Sequence, residues 1–450
     1  MATKHRIAIV GGGFGGVYTA LELEKRLAND PNVEITLISH DNFFLFTPML
    51  HEVAASDLDL ATIVNPIRKL LRKVNFIAGE IQSIDLDSRK LTVLHGLDRH
   101  QHTHEFDQVL LSLGCTTNFF GLPGLEENSI TMKSLEDAVN LRNRLIAILE
   151  EADTECGEAI RQPLLTIITA GGGFAGVETL ASINDFLRGA LRFYRNIKES
   201  DIRLVLVHPG DVILPELGPK LGAYAQKKLQ ERGIEILTHT RVASYDGRLA
   251  TLTNGMEVPS RTLIWTAGTT PHALLKMLPC KNDKGRLVVN AKLEVESRPG
   301  VWALGDNAIV PDLTTGKFCP PTAQHAIRQA RTAAKNIIAH MRGSEKKEFR
   351  FKTIGQLASI GHRCGVARVF GMNFSGFLAW WMWRSIYLSK LPRFEKKLRV
   401  ALDWTLDLLF SKDLVQFVNF GEHGIKHIQR LQTSVKPKRE EELAVPTRAS

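Results

Sequence analysis

Two stretches of the chain open alike: a continuous apolar run, a cluster of glycines, then apolar positions at helical spacing. Arg6–Val10 reads as a buried parallel strand, Gly11–Gly16 as a turn, Val17–Arg26 as a helix and Val33–Ile38 as the next strand. The pattern returns with Leu164–Thr169, then Gly171–Gly176, a helix from Val177 and a strand at Arg203–Val207. Each turn reads Gly-x-Gly-x-x-Gly. Gly11 and Gly171 permit the tight turn, Gly13 and Gly173 let the backbone approach a pyrophosphate, and Gly16 and Gly176 let helix and strand pack closely. Phe14, Gly15, Phe174 and Ala175 complete the two turns. The helix that follows presents free N–H groups and a positive dipole end to phosphates. One such fingerprint is a weak signal, but two in strand–turn–helix context predict two dinucleotide sites.

After residue 350 the pattern changes. Gly376–Leu388 is dense in aromatics, and Trp380, Trp381, Trp383 and Tyr387 are of the types enriched at lipid interfaces. Phe394–Phe410 predicts an amphipathic helix, with Leu398, Leu402, Thr405 and Leu409 on one face and Lys396, Arg399, Asp403 and Asp407 on the other. Lys390, Arg393, Lys396, Lys397 and Arg399 cluster at its start, and each cation near an anionic leaflet is worth about 1 kcal/mol. The segment 376–410 is therefore expected to lie on an anionic lipid surface, although a core or dimer seam has the same pattern. Residues 433–450 are mostly polar and charged and predict a disordered tail.

The length, 450 residues, exceeds what one core serves and implies two or three domains. The net charge of +9 admits anionic lipid or ligand, and no zinc-finger or RNP-type signature accompanies it, so nucleic acid is not expected. No apolar stretch reaches the roughly 20 residues of a spanning helix, and no secretory signal is visible at the start. None of the five cysteines forms a C-x-x-C pair. His100, His102 and His104 alternate as on one face of a strand. They are read as the solvent face of a hairpin, and no metal site is expected.

The residue closing the second strand of each unit should read the adenosine ribose. In the first unit Ser39 stands where an acid is expected, with His40 and Asp41 beside it. In the second, His208 stands there; no acid repels a 2′-phosphate, and no arginine attracts one. NADH is the preferred nucleotide, with NADPH possible.

Further segments resemble the type II NADH dehydrogenases, the single-subunit, non-pumping NADH:quinone oxidoreductases, from about residue 5 to about 420. Asp41–Leu50, with Thr47 and Pro48, is similar to that family's Phe-x-Pro loop beside the flavin. Ser297–Asp306 resembles the second FAD fingerprint, Trp265–Gly268 the loop over the nicotinamide nucleotide, and Pro320–Gln329 the Ala-Gln quinone motif. Arg328 stands where the family often has a second glutamine.

The resemblance implies an α/β fold with two Rossmann-like dinucleotide-binding domains and a C-terminal helical, membrane-associating segment. The expected division is 1–115 with 290–350 for FAD, 116–289 for NAD(P)H, 351–432 for quinone and membrane contact, and 433–450 as the tail. It implies FAD and NADH as cofactors and a membrane quinone as acceptor. Gly114, Asp306 and Ala323 would help to hold FAD, and Ala267, Gly268 and His208 the nicotinamide nucleotide. Glu178 would orient the dinucleotide or relay a proton, and Gln324 and Arg328 would meet the quinone. A homodimer on the cytoplasmic face of a bacterial inner membrane, serving a respiratory chain, is expected. Two rival readings remain: a sulfide:quinone oxidoreductase using Cys156 and Cys319, and a non-catalytic flavin- or NAD-binding sensor.

Overall fold

A computed structural model of the chain describes residues 4–417. The strand His5–Val10 lies at the centre of a five-stranded parallel sheet. Val33–Ser39 pairs with it on one side and Gln108–Leu111 on the other, and Asn75–Ala78 and Val301–Ala303 form the edges. Ile7, Ile9 and Val10 are fully buried, because helices cover both faces of such a sheet. The last strand comes from a segment far later in the chain than its neighbour. The first sheet is therefore completed only after an entire second nucleotide fold has been inserted.

That second fold repeats the plan. Thr166–Ala170 lies between Arg203–Val207 and Thr262–Trp265, with Ile234–Leu237 and Ile130–Thr131 at the edges. The helix Leu135–Thr154 leads into it and starts at a capping box, in which the Ser134 hydroxyl accepts from the Asp137 N–H and the Asp137 carboxylate from the Ser134 N–H. Both glycine-turn helices start three residues earlier than periodicity indicates, at Phe14 and Phe174. Their first turns are glycine-rich and carry no apolar period.

Three antiparallel strands, Gly355–Ser359, Gly365–Val369 and Met372–Gly376, carry the helices Phe377–Lys390 and Phe394–Leu406. Gly365 lies directly under the first of these helices; a Cβ there would stand 2.7 Å from the Trp380 backbone nitrogen. No helix among the described residues is long and apolar enough to cross a membrane. Contacts divide the chain into a unit ending at Leu414 and another beginning at Val415. The tail expected at 433–450 lies outside the described residues.

The C-terminal helix corrects three expectations. It ends at Leu406 rather than Phe410. Its buried stripe is Lys396, Val400 and Trp404, four residues apart. Lys396 and Asp403 thus turn inward instead of to solvent: the Lys396 ammonium meets the Ala61 carbonyl oxygen, and burial raises the Asp403 carboxyl above its ordinary range. Leu398, Leu402 and Leu409 are exposed. Trp383, expected at a lipid interface, is fully buried. The histidine strand His100–Glu105 does pair in a hairpin with Lys90–His95. However, His104 and His102 lie opposite Leu91 and Val93, which are buried. The row therefore shares the face of the core and is exposed because its strand forms the sheet's edge. His95 joins it, 4.3 Å from His102 between ring centres. Among the described residues no group of three or more His, Cys, Asp or Glu side chains is placed to hold a metal ion.

Candidate functional site

The two glycine turns are nearly superimposable in their local chemistry. Gly11 has φ +108° and Gly171 φ +115°, a region that favours glycine. A Cβ on Gly16 would stand 1.8 Å from the Gly11 oxygen, and one on Gly176 1.9 Å from the Gly171 oxygen. Ser112 Oγ donates to the Val10 carbonyl at 2.9 Å, and Thr266 Oγ1 to the Ala170 carbonyl at 2.9 Å. Neither following helix has a side-chain N-cap or an acid in its first turn. Their leading N–H groups thus lack side-chain acceptors, and nothing lies within 4 Å of where a Cβ on Gly13 would be. The first turn therefore fits a pyrophosphate. The second fits as well, with Glu216 3.9 Å from the Cβ position of Gly173.

The strand-end residues differ. Ser39 points under the first turn, its Oγ 2.4 Å from the Cβ position of Gly12. His40 and Asp41 pair with each other on the surface at 3.2 Å. His208 is buried, and its Nδ1 accepts the Gly172 N–H at 3.2 Å. Burial lowers the imidazole's pKa, so it offers a 2′-phosphate no positive charge. Gly268 is closed in by Asn118 and Phe120, and Ala267 beside it is exposed. The Trp265 indole donates to the Asn118 oxygen at 2.9 Å.

Asp306 follows Gly305, whose φ is +75°. It accepts from the Cys115 thiol at 3.2 Å, and Lys133 Nζ reaches the same sulfur at 3.2 Å. Gly114 donates its N–H to Asn307 at 3.2 Å. The expected FAD residues Gly114 and Asp306 are thereby brought together with two that the sequence did not single out, Cys115 and Lys133.

Glu178 is in the first turns of the Phe174–Ala190 helix and is 7 % exposed. Its Oε1 accepts the Ser359 N–H at 3.0 Å and the Trp383 indole N–H at 2.9 Å. Burial pushes its carboxyl up to about 8, against the lowering by those two bonds. From Trp383 a row of rings leads back to the first glycine turn: Tyr387 at 4.9 Å, Phe46 a further 6.3 Å away, and Phe14 another 5.8 Å. Phe46 precedes Thr47 and Pro48, which form a single helical turn. The two glycine-turn helices and the C-terminal helices thus share one wall.

Ala323 and Gln324 start the helix Ala323–Met341. The Gln324 amide donates to the Gly355 carbonyl at 3.2 Å, so one of its hydrogens is already committed. Arg328 donates to the Gln324 backbone oxygen at 3.0 Å and lies 4.1 Å over the Phe351 ring. Gln329, one residue on, accepts the Gly305 N–H at 2.9 Å. This ties the Ala-Gln helix to the Asp306 turn.

Two family models cover most of the chain. Residues 5–330 match the pyridine nucleotide-disulphide oxidoreductase family, and 354–413 match the NDH2 C-terminal domain. The type II NADH:quinone oxidoreductase Ndh of Mycobacterium tuberculosis is 30% identical over 425 residues, covering 91% of this chain and 89% of that one. This chain belongs to the type II NADH:quinone oxidoreductases. Demethylphylloquinone reductase NdbB of Synechocystis is 33% identical over 410 residues, covering 89% of this chain and 96% of its own. The solved structure of NDH2 from Plasmodium falciparum in complex with NADH has a TM-score of 0.85 at 20% identity, covering 92% of this chain and 100% of that one. The sulfide:quinone oxidoreductase of Aquifex aeolicus shares the fold at a TM-score of 0.68 and 17% identity, covering 91% of this chain and 96% of that one.

Beyond the motifs, further buried polar residues pack against the C-terminal indoles of this type II oxidoreductase. His51 and Glu52 lie on the short helix Leu50–Ala54 and are both buried. His51 packs 5.5 Å from Trp383, and burial lowers its pKa to about 3. The Glu52 carboxylate receives the Trp404 indole N–H at 3.2 Å. A signal existed in the sequence: a histidine and a glutamate inside an apolar run beside the Phe-x-Pro loop.

Proposed function

We propose that FAD occupies the first glycine turn and NADH the second, with residues 1–115 and 290–350 serving FAD and 116–289 serving NAD(P)H. Residues 351–432 serve the quinone and the membrane. FAD bound there would supply the redox chemistry between NADH and quinone. The chain's own residues do the positioning. Gly13 and Gly173 leave room for the pyrophosphates. Asp306, set by Gly305 and Cys115, stands ready for the ribityl hydroxyls. The observation that carries the reading is Glu178: a buried carboxyl at the start of the second nucleotide helix, bonded to both the C-terminal sheet and its first helix. Protonated at neutral pH, it holds a proton beside the ring wall that joins the two turns. Gln324 and Arg328 are the proposed quinone contacts, the amide donating without charge and the guanidinium held flat on Phe351.

The acceptor is dissolved in lipid, and the exposed apolar face of the last helix is the proposed membrane contact. Phe394, Leu398 and Leu402 are each more than half exposed, as is Leu409 just beyond the helix, with Lys390 and Arg399 beside them. The expected location is the cytoplasmic face of a bacterial inner membrane, as a homodimer serving a respiratory chain. The sulfide reading needs two reactive thiolates. Cys156 is exposed beside the Thr154 oxygen, whereas Cys319 lies by the Pro311 oxygen with its thiol pushed up to about 11 by burial. A thiol so raised is a poor nucleophile at neutral pH.

The test uses the full chain in detergent, with NADH, NADPH and sulfide offered in turn and a soluble quinone as acceptor. NADH-driven reduction that survives Cys156→Ser and Cys319→Ser supports the reading. Sulfide-driven reduction lost in those variants replaces it with the sulfide enzyme, and flavin that no donor reduces replaces it with a sensor. Sedimentation of the detergent-solubilised chain decides the dimer.

A further inference from the structure

Trp383 and Trp404 face each other at 6.3 Å between ring centres. Each donates its indole N–H to a buried carboxyl group, Trp383 to Glu178 and Trp404 to Glu52. The two acids come from different parts of the core, the second nucleotide helix and the short helix after the Phe-x-Pro loop. The indoles come from the two C-terminal helices. His51, adjacent to Glu52, packs on Trp383, so one short helix touches both indoles. Arg384 lies 4.5 Å over Trp404 and 4.4 Å over Trp380.

We propose that Glu52 is a positioning residue: through Trp404 and Trp383 it fixes the indole that donates to Glu178, and so couples the seating of the C-terminal helices to the protonation of the site. The inference rests on the reading of Glu178 given above. The charged groups around Glu52 are Asp57, Arg384 and Lys412, with Asp407 beside Asp57; Lys412 pairs with Asp57. On the Glu178 side the bonded partners are Ser359 and Trp383, and Tyr387 is packed against that indole. His51 is neutral there. Burial, reinforced by Asp57, pushes the Glu52 carboxyl up to about 8. An acid raised from its unfolded value of about 4.3 favours the seated state most at low pH. That contribution is lost as pH rises from there through about 8.

The indole N–H signals of the full chain, labelled with 15N and held in detergent, read this directly. Trp383→Phe and Trp404→Phe assign the two signals, and both titrate with pH in the wild type. In Glu52→Gln, which keeps an acceptor but cannot ionise, the Trp404 signal stops titrating and Trp383 keeps its midpoint. In Glu52→Ala the Trp383 midpoint moves alkaline by about one unit, because Glu178 loses a well-placed donor to its charged form. Trp404→Phe keeps a ring in place, moves the midpoint the same way, and serves where the alanine variant does not fold. A Trp383 midpoint displaced by less than about 0.2 unit in both Glu52→Ala and Trp404→Phe overturns the proposal. Quinone reduction by NADH is assayed in parallel. Indoles that titrate as described in a chain that reduces no quinone would remove the functional reading and leave the coupling in place.

Discussion

The two glycine turns of this molecule share a backbone and differ at the mouth. Both place a positive-φ glycine first, bury the third glycine against the first one's oxygen, and brace the turn with a hydroxyl from the neighbouring strand, Ser112 or Thr266. At the strand end, one turn has a small Ser39 with a surface pair beyond it. The other has a buried His208 that consumes one of the turn's own N–H groups. The shared part is steric, and the part that differs is chemical. The shape of a phosphate cradle is fixed by where a side chain cannot go, while the identity of the nucleotide depends on a few polar atoms that sterics leave free.

The largest expected effect separates the two turns by one substitution made in each. Gly16→Ala and Gly176→Ala both drive a methyl into a backbone oxygen closer than 2 Å, a clash that the helix relieves only by moving. Gly16→Ala is expected to weaken flavin binding by more than about 10²-fold, read as flavin absorbance per chain, at a cost of about 3 kcal/mol of local strain. Gly176→Ala should keep its flavin and raise the KM for NADH by about tenfold. Loss of flavin in both variants would show that the turns are not assigned one to each nucleotide.

Glu178→Gln comes next. The wild-type carboxyl is held neutral up to about 8 by burial. If it supplies a proton, turnover falls as pH rises through that value. The amide should lower kcat by about 10²-fold and flatten the alkaline limb. A low rate that still falls above pH 8 would assign the limb to another group, for instance Glu52, whose carboxyl burial also raises to about 8.

Leu398→Glu with Leu402→Glu tests the exposed face. Both leucines are more than half exposed, so the fold loses little. Removing their burial in lipid should weaken binding to anionic vesicles by about tenfold to a hundredfold. Turnover with a soluble quinone should stay within about twofold. Unchanged vesicle binding would assign this face to a second copy of the chain.

What the sequence disclosed follows the same division. Both cradles were legible because Gly11, Gly16, Gly171 and Gly176 have no alternative in a turn this tight. The C-terminal helix was legible as amphipathic, but its inward face was not. Lys396 reads as a solvent-facing cation until the Ala61 oxygen is known to wait beneath it, on the buried stripe it shares with Val400 and Trp404. Trp383 was read as a lipid-facing aromatic because nothing local reveals that Glu178, some two hundred positions away, accepts its indole. Cys115 and Lys133 were missed for the same reason: their partners come from other elements. Periodicity reports which face is buried only where apolar contact decides the matter.

The smallest expected effect lies at the residue where the two turns differ most. His208→Asn retains a short acceptor for the Gly172 N–H, and His208→Ala removes it. The bond is one neutral hydrogen bond worth about 1 kcal/mol, so the alanine variant should raise the KM for NADH by about fivefold and the asparagine variant by less than about twofold. The NADH-to-NADPH ratio should change little in either, because a neutral imidazole engaged with the backbone attracts no 2′-phosphate. A fall of about tenfold or more in NADPH affinity alone, measured by fluorescence titration of the bound nucleotide, would show that the ring is charged in the complex and that burial is relieved when the nucleotide arrives.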